Sequence, residues 1–209
     1  MRIAVLGATG GTGRLLAGQA ISAGHDVVAV VRDPRGLGDL VPSEVVIAEA
    51  GDSQALLPAF RGADVIASCL GPRRGEPGAH VPVRGMLATL EAMRRSDVER
   101  LITVSASGWV VDGDDPLTRY LAKPILQRVL KDSFADLEEM ERLVRGSATQ
   151  WTIMRPPMLV DRAPKGAYRS RRDGNVRWGF SIARADLALA ILDAAGDPTA
   201  IRATISVAN

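Results

Sequence analysis

The amino-terminal segment restricts the fold more than any other part of the chain. A short apolar run at residues 3–6 predicts a buried parallel strand, and an apolar pattern of helical period starts near Thr12. Between them lie Gly7, Gly10 and Gly13. At this spacing one glycine permits a sharp turn, one lets the backbone approach a pyrophosphate, and one lets the helix pack close to the strand. The segment therefore predicts a dinucleotide-binding turn.

The surroundings of this turn agree with that prediction. The unpaired N–H groups at a helix N-terminus attract phosphate, and Thr9 and Thr12 add hydroxyl donors. A second strand is predicted at residues 26–31, so the βαβ context that the motif requires is present. A glycine-rich turn without a ligand is the alternative interpretation.

Strands and helices are predicted in alternation along all 209 residues. Further strands are expected at residues 45–48, 63–70, 100–104, 150–155 and 203–207, and helices at 83–95 and 183–195 among others. This order predicts an α/β fold with a Rossmann-type doubly wound parallel sheet. We expect a single domain over residues 1–209 with a small C-terminal substrate-side segment.

Composition excludes several classes of function. A single cysteine, Cys69, rules out an internal disulfide, and we expect it to be a buried, unreactive thiol. The net charge of +2 is too small to indicate nucleic-acid binding. No apolar stretch approaches the roughly 18 residues of a membrane span, and no targeting segment is visible. We expect a cytoplasmic protein with no metal site.

The residues at the end of the second strand indicate whether the cofactor is NADP or NAD. Arginine at this point suits the 2′-phosphate of NADP, whereas an acid would bind the ribose 2′-hydroxyl of NAD. Arg32 comes first and Arg35 follows, which favours NADP, while Asp33 keeps NAD open as the less favoured choice. Arg35 could also be a solvated loop cation.

Other candidates follow the later strands. Asp52 could simply cap the next helix. The loop at residues 71–82 contains Arg73 and Arg74, which could meet an anion or only solvent, and His80, which reads as incidental. Ser105 follows the fifth strand, where it could lie beside a nicotinamide or simply bond the strand end.

The second half of the chain predicts helices and a lid. Residues 116–146 are expected to form two helices, and the acids at 136, 138, 139 and 141 a solvated face. Residues 156–180 carry Tyr168, Trp178 and several arginines without periodicity, so we predict a lid over the ligand crevice. Trp109, Met158, Tyr168 and Trp178 are the predicted substrate-facing residues.

Several motifs together resemble a known family. They are Gly7-Ala-Thr-Gly-Gly-Thr-Gly13, Val31-Arg-Asp-Pro34, Gly51-Asp52, Leu70-Gly71, Trp151-Thr-Ile-Met-Arg-Pro-Pro157 and Ser181-Ile-Ala-Arg-Ala-Asp-Leu187. Over nearly its whole length the chain resembles the atypical short-chain dehydrogenase/reductases, which include the NmrA-like and biliverdin reductase B/flavin reductase-like NAD(P)H-binding proteins.

This resemblance implies roles for individual residues. The pyrophosphate would lie among Gly7, Thr9, Gly10, Thr12 and Gly13. The remaining implied cofactor contacts are Arg32 and Arg35 at the 2′-phosphate, Asp52 at the adenine, Leu70, Gly71 and Arg73 toward the nicotinamide, and Ser105, Pro156 and Pro157 near its ring.

Two departures from the family affect catalysis. Most members of the superfamily use a Tyr-x-x-x-Lys pair, in which the lysine lowers the tyrosine pKa. Here Tyr120 and Lys123 are one residue too close, and Pro124 disturbs a helix that would carry them, so a structural or substrate-facing role competes with a catalytic one. Met158 also stands where flavin reductase-like members tend to have histidine.

These observations predict an NADPH-dependent reductase of a small conjugated or planar acceptor such as a flavin, quinone or enone. The candidate catalytic residues are Ser105, Tyr120 and Lys123. The alternatives are a non-catalytic NADP-binding regulatory or redox-sensing protein and an isomerase, epimerase or cyclase on the same fold. We expect a small-molecule substrate that could be anionic, no nucleic-acid or membrane partner, and a monomer or homodimer.

Overall fold

The computed structural model describes residues 1–71, 80–108 and 131–209. Within these ranges the strands are β1 (Arg2–Leu6), β2 (Asp26–Val31), β3 (Glu44–Ile47), β4 (Val65–Ser68), β5 (Arg100–Val104), β6 (Gln150–Arg155), β7 (Met158–Val160), β8 (Arg169–Arg172), β9 (Ser181–Ala183) and β10 (Ala203–Ala208). The helices are α1 (Gly11–Ser22), α2 (Ser53–Phe60), α3 (Val81–Ser96), α4 (Lys131–Arg145) and α5 (Arg184–Gly196).

The larger sheet has the strand order β3-β2-β1-β4-β5-β6-β10-β8. Neighbouring strands are parallel, except that β8 is antiparallel to β10. The chain proceeds outward from β1 through β2 to β3 and then returns to the other side of β1 as β4. Such a reversal opens a crevice beyond the carboxyl ends of the strands, where open α/β sheets bind ligands. The predicted doubly wound parallel sheet is confirmed.

Hydrophobic cores cover both faces of this sheet. On β1, Ile3 and Val5 face the core beneath α1 and α5, whereas Ala4 and Leu6 face the core beneath α2, α3 and α4. Parallel strands buried on both faces read as continuous apolar runs. This is why the predicted bounds of β2, β5 and β6 agree with the structure.

Other element ends differ from the prediction by a few residues. The fourth strand is confined to Val65–Ser68, so Cys69 and Leu70 lie in the turn that follows it. Helix α3 begins earlier than predicted, at Val81. Pro82 explains the early start, because proline has the backbone φ of a first helical turn and needs no N–H partner there.

Residues 156–180 are not the irregular segment that the sequence predicted. They include β7, which pairs with β9 in a small second sheet, and β8, which extends the large sheet beyond β10. Every residue of β8 is exposed, so no alternation of apolar and polar residues marks this strand in the sequence. The role of the segment as a lid stays a prediction.

A buried carboxylate ties this segment to the end of the chain. Asp186 of α5 is fully buried and accepts hydrogen bonds from the backbone N–H groups of Lys165 and Gly166, both at 3.0 Å, and from the side-chain amide of Asn209. These donors satisfy a charge that burial would otherwise make costly. The chain approaching β8 is therefore fixed against α5.

Candidate functional site

The glycine-rich turn between β1 and α1 is built so that side chains would not fit. Gly7 has a φ of +76°, a left-handed conformation that favours glycine. A Cβ on Gly13 would lie 2.2 Å from the Gly7 carbonyl oxygen, so α1 can pack on the turn only with glycine at this position. The Gly10 N–H donates to that same oxygen at 2.9 Å and closes the turn.

The N-terminus of α1 has no side-chain cap. Gly10 is its N-cap and supplies no side-chain hydrogen bond. The first N–H groups of a helix have no partner within the helix, and together with the helix dipole they favour an anion. Thr12 and Gly13 lie in this first turn. The turn from Gly7 to Gly13 and the N-terminus of α1, together called the cradle, therefore fit the pyrophosphate of a dinucleotide.

A cavity of about 260 Å³ opens at the carboxyl ends of β1, β2 and β4. It is lined by Leu6, Gly7, Thr9, Gly10, Val30, Val31, Arg32, Ala48, Ala50, Cys69, Leu70, Gly71 and Val81. The structure thus brings together six residues that the sequence placed at the cofactor, namely Gly7, Thr9, Gly10, Arg32, Leu70 and Gly71. A larger, open depression of about 910 Å³ lies between α1, α5 and residues 39–41, away from these strand ends.

The two candidate arginines after β2 differ in their partners. Arg35 pairs with Asp33, its Nη2 lying 2.6 Å from Oδ2, and the same carboxylate accepts from the Arg35 N–H. The hydrogen bonds from Arg35 hold the pKa of Asp33 below its ordinary value. Arg32 lines the cavity and forms no ion pair within the part of the chain that the structure describes. Among the two candidate arginines, Arg32 is therefore the one available to meet a phosphate.

Asp52 occupies the position of a helix cap. Its Oδ1 accepts hydrogen bonds from the N–H groups of Gln54 at 3.0 Å and Ala55 at 3.1 Å, at the start of α2. This is the local role that the sequence spacing favoured. A contact between Asp52 and an adenine stays a prediction.

Helix α3 is fitted closely to the far wall of the cavity. A Cβ on Gly85 would lie 2.5 Å from Cδ1 of Leu70, so a larger residue would push α3 away from the chain that follows β4. Val81, at the first turn of α3, lines the cavity beside Leu70 and Gly71. Sequence reasoning missed Gly85, because a glycine inside a helical pattern signals close packing only when its neighbour is known.

The Cys69 thiol lies at the cavity without being reactive. It is only partly exposed, and burial raises the pKa of the thiol to about 12. A thiol with so high a pKa is protonated near neutral pH and is a poor nucleophile. The expectation of an unreactive Cys69 agrees with this environment.

Ser105 holds an unsatisfied hydroxyl at the end of β5. The residue is 6% exposed, and its Oγ finds no hydrogen-bond partner in the described structure. Its backbone N–H donates to the Met154 carbonyl and that of Ser107 to the Pro156 carbonyl, each at 2.8 Å. These bonds bring the predicted residues Ser105 and Pro156 together. A buried hydroxyl without a partner is costly, which indicates a place for a ligand atom.

A buried ion pair fixes the chain just before Pro156 and Pro157. Arg155, the last residue of β6, donates from Nε to Oε1 of Glu141 at 2.8 Å and from Nη2 to Oε2 at 2.5 Å. Glu141 is 2% exposed and Asp136, on the same helix, 7%. The prediction that these two acids belong to a solvated face is wrong, because Arg155 on β6 and His80 next to α3 form hydrogen bonds with their carboxylates, which are buried.

The predicted substrate-facing residues fall into two groups. Met158 and Trp178 are more than half exposed, and Trp178 packs edge to face against Phe180 with 6.2 Å between ring centroids. Met158 is paired in register with Ser181, next to Phe180. Sequence reasoning missed Phe180, which has no periodic pattern around it.

Tyr168 is separated from this group. Its hydroxyl donates to Asp193 at 2.8 Å, and its ring packs on the core beneath α1 and α5. Burial and that hydrogen bond raise the pKa of the phenol. Asp193 lies near the C-terminal end of α5, toward the amino ends of the parallel strands, so this contact does not support a substrate-facing role.

Arg184 is a further residue that the sequence analysis did not select. Its side chain lies over Gly11, where a Cβ would be 2.8 Å from the arginine Cδ, and its Nη1 is 2.6 Å from Oδ1 of Asp161. A cation is thus present beside the first helical residue of α1. Only the packing of α5 on α1 reveals it.

The remaining candidates lie outside the described ranges. They are Arg73, Arg74, Trp109, Tyr120 and Lys123. Among the described residues, no group of three or more His, Cys, Asp or Glu side chains could hold a metal ion. No helix in the same ranges is long and apolar enough to cross a membrane.

Comparisons with known proteins agree with this geometry. A family model described as NAD(P)H-binding matches residues 7–198. The uncharacterized protein YwnB of Bacillus subtilis (strain 168) is 25% identical over 200 residues, covering 92% of this chain and 91% of YwnB.

Two solved structures share the fold over the whole chain. ChuY, an anaerobillin reductase from Escherichia coli O157:H7, superposes with a TM-score of 0.81 at 21% identity, covering 100% of this chain and 97% of ChuY. A short-chain dehydrogenase/reductase from Veillonella parvula DSM 2008 in complex with NADP gives 0.80 at 20% identity, covering 100% and 94%.

The site and the fold together define an NAD(P)H-binding protein with a Rossmann-type sheet. The chain belongs to the NAD(P)H-binding family, and the solved structures that share its fold include an oxidoreductase, an anaerobillin reductase and short-chain dehydrogenase/reductases.

Proposed function

We propose that this protein is an NADPH-dependent reductase that passes a hydride to a small conjugated or planar acceptor, such as a flavin, quinone or enone. The observation that carries the proposal is the Ser105 hydroxyl, buried and without a partner among the described residues at the end of a central strand. A carbonyl oxygen of the acceptor, or the carboxamide of the nicotinamide, would satisfy it.

The cofactor would be held by the residues of the cradle. The turn from Gly7 to Gly13 and the N-terminus of α1 bind the pyrophosphate. Leu70, Gly71 and Val81 form the wall of the cavity toward α3. NADPH supplies the hydride when bound, while the protein orients the reactants and excludes competing reactions.

The pairing of the arginines supports NADPH over NADH. Asp33, which would bind the ribose hydroxyls of NADH, is already engaged by Arg35. Arg32 lines the cavity and has no ion-pair partner among the described residues, so it can bind the 2′-phosphate. Arg35 would join it only by leaving Asp33.

The acceptor would bind against the exposed apolar group of Met158, Trp178 and Phe180. A flat, conjugated molecule can stack on such rings. The backbone that carries Trp178 is held by Arg169, which donates to the carbonyls of Arg177 and Trp178. The Arg177 guanidinium lies 6.0 Å from the Trp178 ring centroid. These arginines favour an acceptor with negative charge.

The relatives support the same activity class. ChuY is a reductase by its own description, and the Veillonella parvula protein was solved with NADP. Both share the fold of this chain, in which the strand ends and the α1 N-terminus face one crevice.

The test is a titration with NADPH and NADH followed by turnover with flavins, quinones, aldehydes and enones. We expect NADPH to bind and to be oxidised by at least one acceptor. Binding of NADPH without oxidation by any acceptor would contradict the reductase and favour a non-catalytic NADP-binding protein.

Replacement of Arg32 tests the choice of cofactor. Because a hydrogen bond to a charged group contributes about 1.5–3 kcal/mol, Arg32→Ala should weaken NADPH binding by roughly 10- to 100-fold. NADH affinity should stay unchanged. Arg61→Ala, an exposed arginine that ends α2, is the matched control. Equal losses for both cofactors would show that Arg32 does not bind the 2′-phosphate.

A further inference from the structure

His80 and Asp136 form a pair at the rim of the crevice. The imidazole Nδ1 lies 3.3 Å from Oδ1 of Asp136. The His80 side chain is 63% exposed, whereas that of Asp136 is 6% exposed. A carboxylate accepts only, so Nδ1–H donates and the pair fixes which ring nitrogen carries that proton. Nε2, on the other side of the ring, faces away from Asp136.

Both residues lie at the ligand-binding end of the sheet. His80 directly precedes Val81, which lines the cavity with Leu70 and Gly71. The first turns of α3 cannot move back from the cavity without disturbing the fit of Gly85 against Leu70. Asp136 lies in the N-terminal half of α4, which packs beside α3. Both helices begin at the carboxyl ends of the strands, where the crevice opens.

The backbone at His80 is strained. Its φ of 45° and ψ of 41° are left-handed, although the residue is not glycine. Such strain persists only where the surroundings enforce it, and it is concentrated at active sites and ligand clamps. In this conformation the imidazole is hydrogen-bonded to Asp136, and no side-chain hydrogen bond from His80 caps α3.

We propose that His80, positioned by Asp136, is the proton donor for the acceptor reduced in this crevice. This inference rests on the proposed reductase activity and specifies its acceptors as carbonyl or enone compounds. The hydride from NADPH adds to carbon and leaves the acceptor oxygen as an alkoxide or enolate. The Nε2–H bond of protonated His80 breaks as the O–H bond forms. Neutral His80 then regains a proton from solvent, and NADP⁺ remains as the oxidised product.

The proposed role of His80 can be tested with variants that keep the left-handed backbone conformation at this position. Glycine and asparagine both tolerate the left-handed region, so His80→Gly and His80→Asn should fold. His25→Asn is the matched control, because His25 follows α1 and its Nδ1 lies 3.5 Å from the amino terminus, at the other end of the sheet. Turnover would be compared on cyclohexenone, an aldehyde and benzoquinone, since the reduced quinone takes its protons from water.

The expected result separates proton donation from folding. General acid catalysis contributes about 100-fold or more, so His80→Gly should lower kcat on the enone or aldehyde by about that factor. Turnover of benzoquinone and the Kd for NADPH should stay unchanged. Free imidazole should restore part of the lost enone activity. Asp136→Asn should lower kcat in the same direction and increase its solvent deuterium isotope effect.

The hydrogen bond between His80 and Asp136 can also be tested by a measurement that does not depend on activity. In ¹⁵N-histidine NMR spectra of the protein without substrate, Asp136→Asn should shift the His80 Nδ1 signal, while His25 signals stay in place. An unshifted Nδ1 signal would overturn the positioning role of Asp136.

The remaining outcomes are decisive against the proposal. Full enone activity of His80→Gly, equal loss on benzoquinone, or no rescue by imidazole would overturn it while the reductase stands. A wild-type protein that reduces only quinones would overturn it as well. If no acceptor of the panel supported oxidation of NADPH by the wild-type protein, the proposed reductase activity would be contradicted first. The role of His80 as proton donor would be contradicted with it.

Discussion

At the scale of single residues, the site depends on positions where no side chain fits. Gly13 is the clearest, because α1 rests on the Gly7 carbonyl at a distance that excludes a Cβ. The same contact sets the direction of the N–H groups at the start of α1, and these groups are the ones expected to bind phosphate. The identity of this residue therefore controls stability and cofactor binding together.

Gly13→Ala should lower both the stability of the fold and the affinity for NADPH. A Cβ placed 2.2 Å from the Gly7 oxygen must displace the turn or the helix, and overpacking of this kind costs about 1–3 kcal/mol. Urea unfolding should show that loss in the free energy of unfolding, and an NADPH titration should show weaker binding.

Gly196→Ala provides the matched control, because nothing lies within 4 Å of a Cβ at that position. It should leave NADPH binding as in the wild type. Retention of full NADPH affinity by Gly13→Ala would mean that the turn can relax without moving the phosphate-binding N–H groups.

At the scale of elements, buried charges hold the helices in place around the crevice. Glu141 connects α4 to the end of β6 through Arg155, and it also lies 3.3 Å from Nη2 of Arg145. Arg145 in turn donates to Thr204 of β10 at 2.6 Å. One carboxylate thereby joins α4 to two neighbouring strands, immediately before the prolines predicted to lie near the nicotinamide.

Glu141→Gln should destabilise the fold strongly. The substitution keeps the shape but removes the negative charge that faces the nearly buried Arg155 guanidinium, and breaking one side of a buried ion pair costs about 3–5 kcal/mol. The free energy of unfolding in urea measures this loss.

Glu139→Gln is the control on the same helix. Glu139 pairs with Arg142 one turn away at the surface, with 44% of its side chain exposed, and exposed pairs contribute little. If the two variants unfolded at the same urea concentration, the buried pair would not be what holds α4 to β6.

At the scale of the whole molecule, the crevice exists only in the folded chain. Its wall combines Thr9, Arg32, Ala50 and Gly71, which follow four different strands, with Val81, the first residue of α3. A ligand that binds this arrangement must therefore stabilise the native state relative to the unfolded chain.

NADPH should raise the stability accordingly. A ligand present at about 100 times its Kd adds about 2.7 kcal/mol to the free energy of unfolding. The thermal midpoint should rise with NADPH concentration in the wild type and rise less in Gly13→Ala. A midpoint that is independent of NADPH would exclude binding to the native state.

Much of this architecture could be predicted from the sequence. The strands buried on both faces, β2, β5 and β6, are continuous apolar runs, and their bounds agree with the structure. The edge strand β8 could not be predicted, because Arg169-Ser-Arg-Arg172 buries no side chain and leaves no pattern. The role of the glycines in the first turn could be predicted, since it depends on local backbone geometry.

The sequence by itself determined the doubly wound fold, the dinucleotide turn and the arginine that follows β2, because each depends on residues close together in the chain. Only the tertiary structure decided which charged groups are paired and buried. Glu141 and Asp136 appeared to be surface acids until Arg155 and His80 were placed beside them. Likewise, the Ser105 hydroxyl is buried next to β6 and has no hydrogen-bond partner among the described residues. Burial and pairing arise between distant segments, and no local pattern encodes them.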